Sequence, residues 1–198
     1  MSPTRTDTRT VQTAKGSTAR GTYAFVRERL GEAALDRVRQ SLDVDTRRVL
    51  DAVEATDEIP YSHLVALWEA VDRQLGAEHP TWAEDAGAFS IESVGVALYG
   101  GILRKATPRA FLTQSISLFR LYYHPGDITA VEDAPGRAIL RLVDFDPVTR
   151  LFCGRQTGGL RRAVELAGGE SARVRHVRCS IEGDAFCEWQ LEWHVPRG

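Results

Sequence analysis

The clearest chemistry in this chain belongs to Cys153, His176, Cys179 and Cys187, spaced C-x22-H-x2-C-x7-C. Thiolate and imidazole are the donors a tetrahedral Zn²⁺ prefers, and three cysteines with one histidine make a usual structural set. The Gly183-Asp184 turn can fold Cys187 back beside Cys179, and a helix over that sheet face would bring Cys153 to them. The pattern lacks a C-x2-C knuckle. His176 and Cys179 are three residues apart, so in a regular strand they point to opposite faces. Both reach one ion only where the strand ends or bulges between them. Three buried free thiols are the competing reading, since cysteine is among the most buried residue types.

The remainder of the chain must supply the elements that hold these four residues. At 198 residues, 43% hydrophobic and 26% charged, it suits one soluble domain, and no apolar run is long enough to span a membrane. The N-terminus, MSPTRTDTRTVQTAKGSTARG, has no apolar centre of the secretory type. A cytoplasmic address is expected, and with it reduced thiols rather than a disulfide. A net charge of −2 gives no field suited to nucleic acid.

Residues 1–18 read as a disordered tail, followed by one α+β domain over 19–198. Apolar residues at helical spacing over 22–42 are divided by Gly31, and Asp45 is expected to cap the next short helix. Leu64, Leu67, Trp68, Val71 and Leu75 form a single helical stripe stopped at Gly76. A long helical stretch runs from Thr81 to about Arg104, and Thr107-Pro108 opens another. After HPGD the period changes from about 3.6 to 2. ITAVED and RAILRLVDF flank the turn APG as a hairpin, Asp146-Pro147 caps a helix running to Ala167, and two more strands finish the chain. The predicted fold is an N-terminal helical layer on a four-stranded antiparallel sheet of β-β-α-β-β order.

Catalytic machinery is not expected. His63 and His79 lie near helix starts, and His124 follows a helix end. Asp144 with Asp146, and Glu182 with Asp184, are carboxylates at turns or caps. QTGG and AGGE lack a phosphate-binding arrangement, and no nucleophile elbow or dinucleotide fingerprint occurs. Phe89, Tyr99, Phe111, Phe119, Tyr122 and Tyr123, with His124, could line an apolar pocket between the helices and the sheet, or simply fill the core.

The C-x25-C-x7-C pattern, whose last pair encloses EGD, resembles the C-terminal half of the 4-vinyl-reductase-like domain and the related sensory domain of aromatic-responsive transcription activators. The wider superfamily includes haem–nitric-oxide sensors and TRAPP vesicle-transport subunits. The resemblance covers about 145–193, with only element order agreeing upstream. The segment KGSTARGTYAFVRERLGEAALDRV is similar to an uncharacterised family abundant in myxobacteria. The activators' pattern implies a structural zinc on Cys153, Cys179 and Cys187, with His176 in the place of a carboxylate. It further implies a bacterial, non-catalytic sensory domain for a small apolar or aromatic ligand, with output through a separate protein partner and a possible homodimer. The TRAPP subunits imply an alternative, a protein-interaction scaffold; the domain's name suggests a pigment-pathway vinyl reductase or its accessory. The haem sensors' Tyr-x-Ser-x-Arg motif is absent, so no haem is expected.

Overall fold

The computed structural model describes residues 11–95, 107–110 and 119–195. The helical layer comprises α1 (Gly16–Phe25), α2 (Glu32–Ser41), α3 (Val44–Ala52), α4 (Tyr61–Leu75) and α5 (Trp82–Ser90). A π-helical turn follows α1 at Val26–Leu30 and another follows α5 at Ile91–Gly95. The stripe read from α4 is its buried face: Leu64, Leu67, Trp68 and Val71 are fully inaccessible, and Leu75 nearly so. Gly31 divides α1 from α2 with φ 95°, a conformation that L side chains rarely adopt.

A small sheet sits within this layer. β1 (Thr13–Lys15) pairs antiparallel with β2 (Glu58–Pro60) on one edge and β3 (Tyr123–His124) on the other. The expected boundary of the tail at residue 18 is thereby corrected. Thr13–Lys15 is laddered on both sides, and Gly16–Phe25 is helical with Ala19 and Thr22 fully buried. Three-residue strands carry no readable period, so this sheet left no trace in the sequence.

The main sheet comprises β4 (Asp127–Ala134), β5 (Arg137–Val143), β6 (Glu170–Arg178) and β7 (Glu188–His194), antiparallel in the order β4-β5-β7-β6. Helix α6 (Arg150–Leu166) connects the two hairpins. The predicted fold class and β-β-α-β-β order are therefore observed. Two caps differ. Asp43, not Asp45, caps α3 by accepting from Thr46 N, and Thr149, not Asp146, caps α6 by accepting from Leu151 N. Asp146 instead accepts from Val148 N in the preceding turn. Side chains of this type bond to any nearby amide, so composition places a cap only to within a few residues.

Helices α5 and α6 cross with almost no side chain between them. A Cβ on Gly87 would lie 2.0 Å from the Arg155 carbonyl oxygen, and one on Gly158 would lie 1.9 Å from that of Glu84. Alanine at position 158 favours helix by up to about 1 kcal/mol. That gain is smaller than the overpacking cost of about 1–3 kcal/mol or more, because both backbones must separate. Gly158→Ala is expected to lower the urea midpoint without changing its slope.

Candidate functional site

The four metal-type residues converge. One ligand atom from each of Cys153, His176, Cys179 and Cys187 lies within 4.8 Å of all the others. Cys153 comes from the first turn of α6, His176 from β6, Cys179 from the end of that strand and Cys187 from the approach to β7. The alternation objection is resolved by a bulge. β6 pairs His176 with Trp189 and then Arg178 with Glu188, so Val177 is an extra residue that turns outward and is exposed. His176 and Cys179 consequently face the same centre.

The surrounding groups fix this arrangement. The Asp184 carboxylate accepts from Cys179 N at 2.7 Å and closes the turn that sets Cys179 beside Cys187. The His176 ring stacks on Trp189 at 4.8 Å between centroids and 20° between planes. Its Nε2 is buried with no hydrogen-bond partner among the described residues. Cys153 and Cys187 Sγ are 3.8 Å apart. Two sulfurs bound at about 2.3 Å to one tetrahedral ion would be about 3.8 Å apart.

The Cys187 thiol is held down chiefly by the contact from Cys153, with His176 and then the Ser180 hydroxyl and amide adding to it against the effect of burial. The same contact and burial push the Cys153 thiol far upward. The three cysteines are buried and unlinked. Four protein donors leave no open coordination position, so such a centre would not activate water.

The aromatic residues are only partly brought together. Phe119 and Tyr123 are buried, 5.1 Å apart by ring centroids, within a cluster that includes Tyr61, Phe145 and Phe152. Phe89 packs elsewhere, edge-on to Phe25 at 5.8 Å. Tyr122 is half-buried and His124 exposed. Tyr99 and Phe111 lie outside the described residues.

The candidate acid–base groups are spent on local structure. His63 Nδ1 is bonded to Thr46 Oγ1, and Glu182 forms an ion pair with Arg150.

Sequence reading missed Arg155. It is 6% exposed, on the face of α6 that packs on α5, and carries no ion pair among the described residues. The glycines Gly158 and Gly159, at i+3 and i+4, marked that face as buried.

No family model matches the chain, and no curated protein is significantly similar to it. Solved structures are. The unliganded Fe(II) H-NOX protein from K. algicida superposes with a TM-score of 0.72 at 12% identity, over 92% of this chain and 97% of its own. The Fe(II)NO form of an H-NOX protein from S. oneidensis gives 0.70 at 15%, over 91% and 99%. An H-NOX-family protein studied for haem distortion gives 0.68 at 13%, over 93% and 97%. This chain has the H-NOX fold. The match fits the superfamily inferred from the cysteine pattern and lends no support to its 4-vinyl-reductase-like branch.

The expectation of zinc as the cofactor, with haem absent, is overturned by this finding. H-NOX-fold structures are those of haem proteins, so a missing Tyr-x-Ser-x-Arg motif does not set haem aside. The motif failed as a criterion because at such low identity a fold persists after its local sequence signatures have changed. Haem iron takes its axial ligand from His, Cys, Met or Tyr. His63 is bonded to Thr46, His79 is half-buried in the turn before α5, and His124 and His194 are exposed. His176 and all three cysteines belong to the thiol–imidazole cluster. The donors described therefore do not fit haem iron through histidine or cysteine. Arg155, in contrast, has the chemistry for a porphyrin carboxylate.

Proposed function

We propose that this chain is a non-catalytic sensory domain for a small molecule, passing its signal to a separate protein partner. One observation carries the reading: the H-NOX fold extends over nine-tenths of the chain and nearly all of each matched structure. Among the described residues no helix is long and apolar enough to cross a membrane. In this reading the ligand seat adjoins the aromatic cluster of Tyr61, Phe119, Tyr123, Phe145 and Phe152, at the meeting of α4, α6 and β3.

A second component is the thiol–imidazole centre. Cys153, His176, Cys179 and Cys187 are its candidate ligands, brought together from α6, β6 and the approach to β7.

A thermal-shift titration tests the sensory reading, using haemin, neutral phenols and aromatic acids. A ligand at 100 times its Kd stabilises by about 2.7 kcal/mol, which for this size of domain is a rise of roughly 5–10 °C. A flat response to every probe would reject the reading.

A further inference from the structure

The main sheet ends on β6, and the space beside that edge is open. Between its two register shifts β6 runs regularly from Arg173 to His176, paired on one side with β7. Along the other side lies a groove of about 360 Å³, lined by Arg161, Ala172, Arg173, Val174, Arg175 and Glu192. An edge strand presents a row of N–H and C=O groups that templates a further strand. The side chains here sort by face. Ala172 and Val174 are half-buried and pack on the core, whereas Arg173 and Arg175 point the other way and are exposed. Arg161 reaches the groove from α6, where it pairs with Glu84 at 3.2 Å. Arg175 meets Glu192 at 3.4 Å across the sheet. Among the described residues of this lining, three arginines stand against one carboxylate.

We propose that β6 takes up, as a further strand beside it, an extended acidic segment of the protein that receives the signal. The inference rests on the reading above that output passes to a separate protein partner. Successive residues of a strand point to opposite faces. Alternate positions of the added strand therefore lie beside Arg173 and Arg175, and the intervening ones beside Ala172 and Val174. The segment that fits has carboxylates alternating with small apolar side chains. Opposite charges on neighbouring strands stabilise the pair, and like charges directly opposite destabilise it. A second copy of this chain is accordingly the wrong occupant. β6 against β6 sets arginine against arginine. At the other edge, the carboxylates of β4 are already engaged: Asp127 by Arg120, Glu132 by Arg137 and Asp133 by Arg109. A bulge between Ala130 and Glu132 also breaks the register of that strand. One charge pattern on β6 thus rejects self-pairing and selects an acidic strand.

Fluorescence polarisation with the full chain tests this, using three labelled peptides: Glu-Val-Glu-Val-Glu, Lys-Val-Lys-Val-Lys and Glu-Glu-Glu-Val-Val. Labelled oligothymidine serves as a polyanion without a peptide backbone. The first peptide is expected to bind about tenfold tighter than the other two. It should also slow amide hydrogen exchange over 170–178 and leave 127–134 unchanged. Arg173→Gln with Arg175→Gln should abolish the preference for the acidic peptide over the lysine peptide, and Arg173→Glu with Arg175→Glu should invert it. Both side chains are exposed, so each variant is expected to fold, which its urea midpoint verifies. Equal binding of the three peptides overturns the inference, as does an acid preference that survives both double substitutions. Tighter binding of oligothymidine, exchange protection elsewhere than β6, chain-to-chain assembly in sedimentation without peptide, or no binding at all would also overturn it. None of these results moves the small-molecule titration above, so the sensory reading fails or stands separately.

Discussion

The proposed thiol–imidazole site predicts that replacing Cys187 with serine takes bound metal from one equivalent per chain to about a tenth or less, with a loss of several kcal/mol of stability. Cys187 sits where α6, β6 and β7 meet. It is 1% exposed, 3.8 Å from Cys153 Sγ, and receives the Ser180 amide at 3.4 Å. Serine keeps the shape and removes the soft anionic donor. The three remaining ligands then hold an ion that must recruit water into a buried site. His176→Ala should retain more metal, because all three thiolates survive. The pH dependence has a definite sign. Ligands bind only when deprotonated, so the proposed site predicts metal bound at neutral pH and lost, with the stability it contributes, as pH falls. Elemental analysis by plasma mass spectrometry, on protein dialysed without chelator over a pH series, reads both effects. Full metal occupancy in Cys187→Ser would show that the ion is held elsewhere.

Trp189→Ala is expected to be the most damaging substitution of a non-ligand residue, at about 3–5 kcal/mol. Trp189 is fully inaccessible, and its Nε1 donates to Thr157 Oγ1 of α6 at 3.0 Å. Its ring supports the His176 imidazole from below. The loss therefore has three parts: a cavity, the hydrogen bond to Thr157 Oγ1, which keeps its own bond to the Cys153 carbonyl, and a His176 ring free to rotate. For this length of chain it is a fall in Tm of roughly 6–20 °C, read by calorimetry. Trp189→Phe keeps a ring against His176 and loses the hydrogen bond, so it should fall between wild type and Trp189→Ala, with metal retained. Equal metal loss in both variants would mean that the stack does not orient the ligand.

The parts of the fold legible in the sequence were those with a long repeat of one period. The α4 stripe is buried as read, and Trp189, Leu191 and Trp193, alternate residues of β7, share a buried face. Gly31 and Gly168 mark helix ends because few other residues adopt their positive-φ backbone. What was illegible depended on partners distant in the chain. β1 is three residues long and exists only because β2 and β3 flank it, with Ala14 in register with Ile59 on one side and Tyr123 on the other.

The metal cluster was legible as composition, yet its geometry turned on the bulge at Val177, which a single inserted residue creates and no pattern announces. Arg155 was hidden differently. It is one of 25 basic residues, nearly all arginine, and only the crossing of α5 over α6 sets it apart. The likeness to H-NOX structures was legible as element order and fold, and the cofactor was not. An absent three-residue motif was weighed against a fold that identity of 11–16% still preserves.

The sensory reading stands or falls on whether this chain holds a small molecule. Native mass spectrometry of the full chain decides it, as purified and after incubation with haemin or with 1-naphthoate. The expected result is a stoichiometric non-covalent adduct, additional to any metal mass, that disappears under denaturing conditions. A spectrum showing only the chain, or the chain with metal, in all three samples would contradict the account.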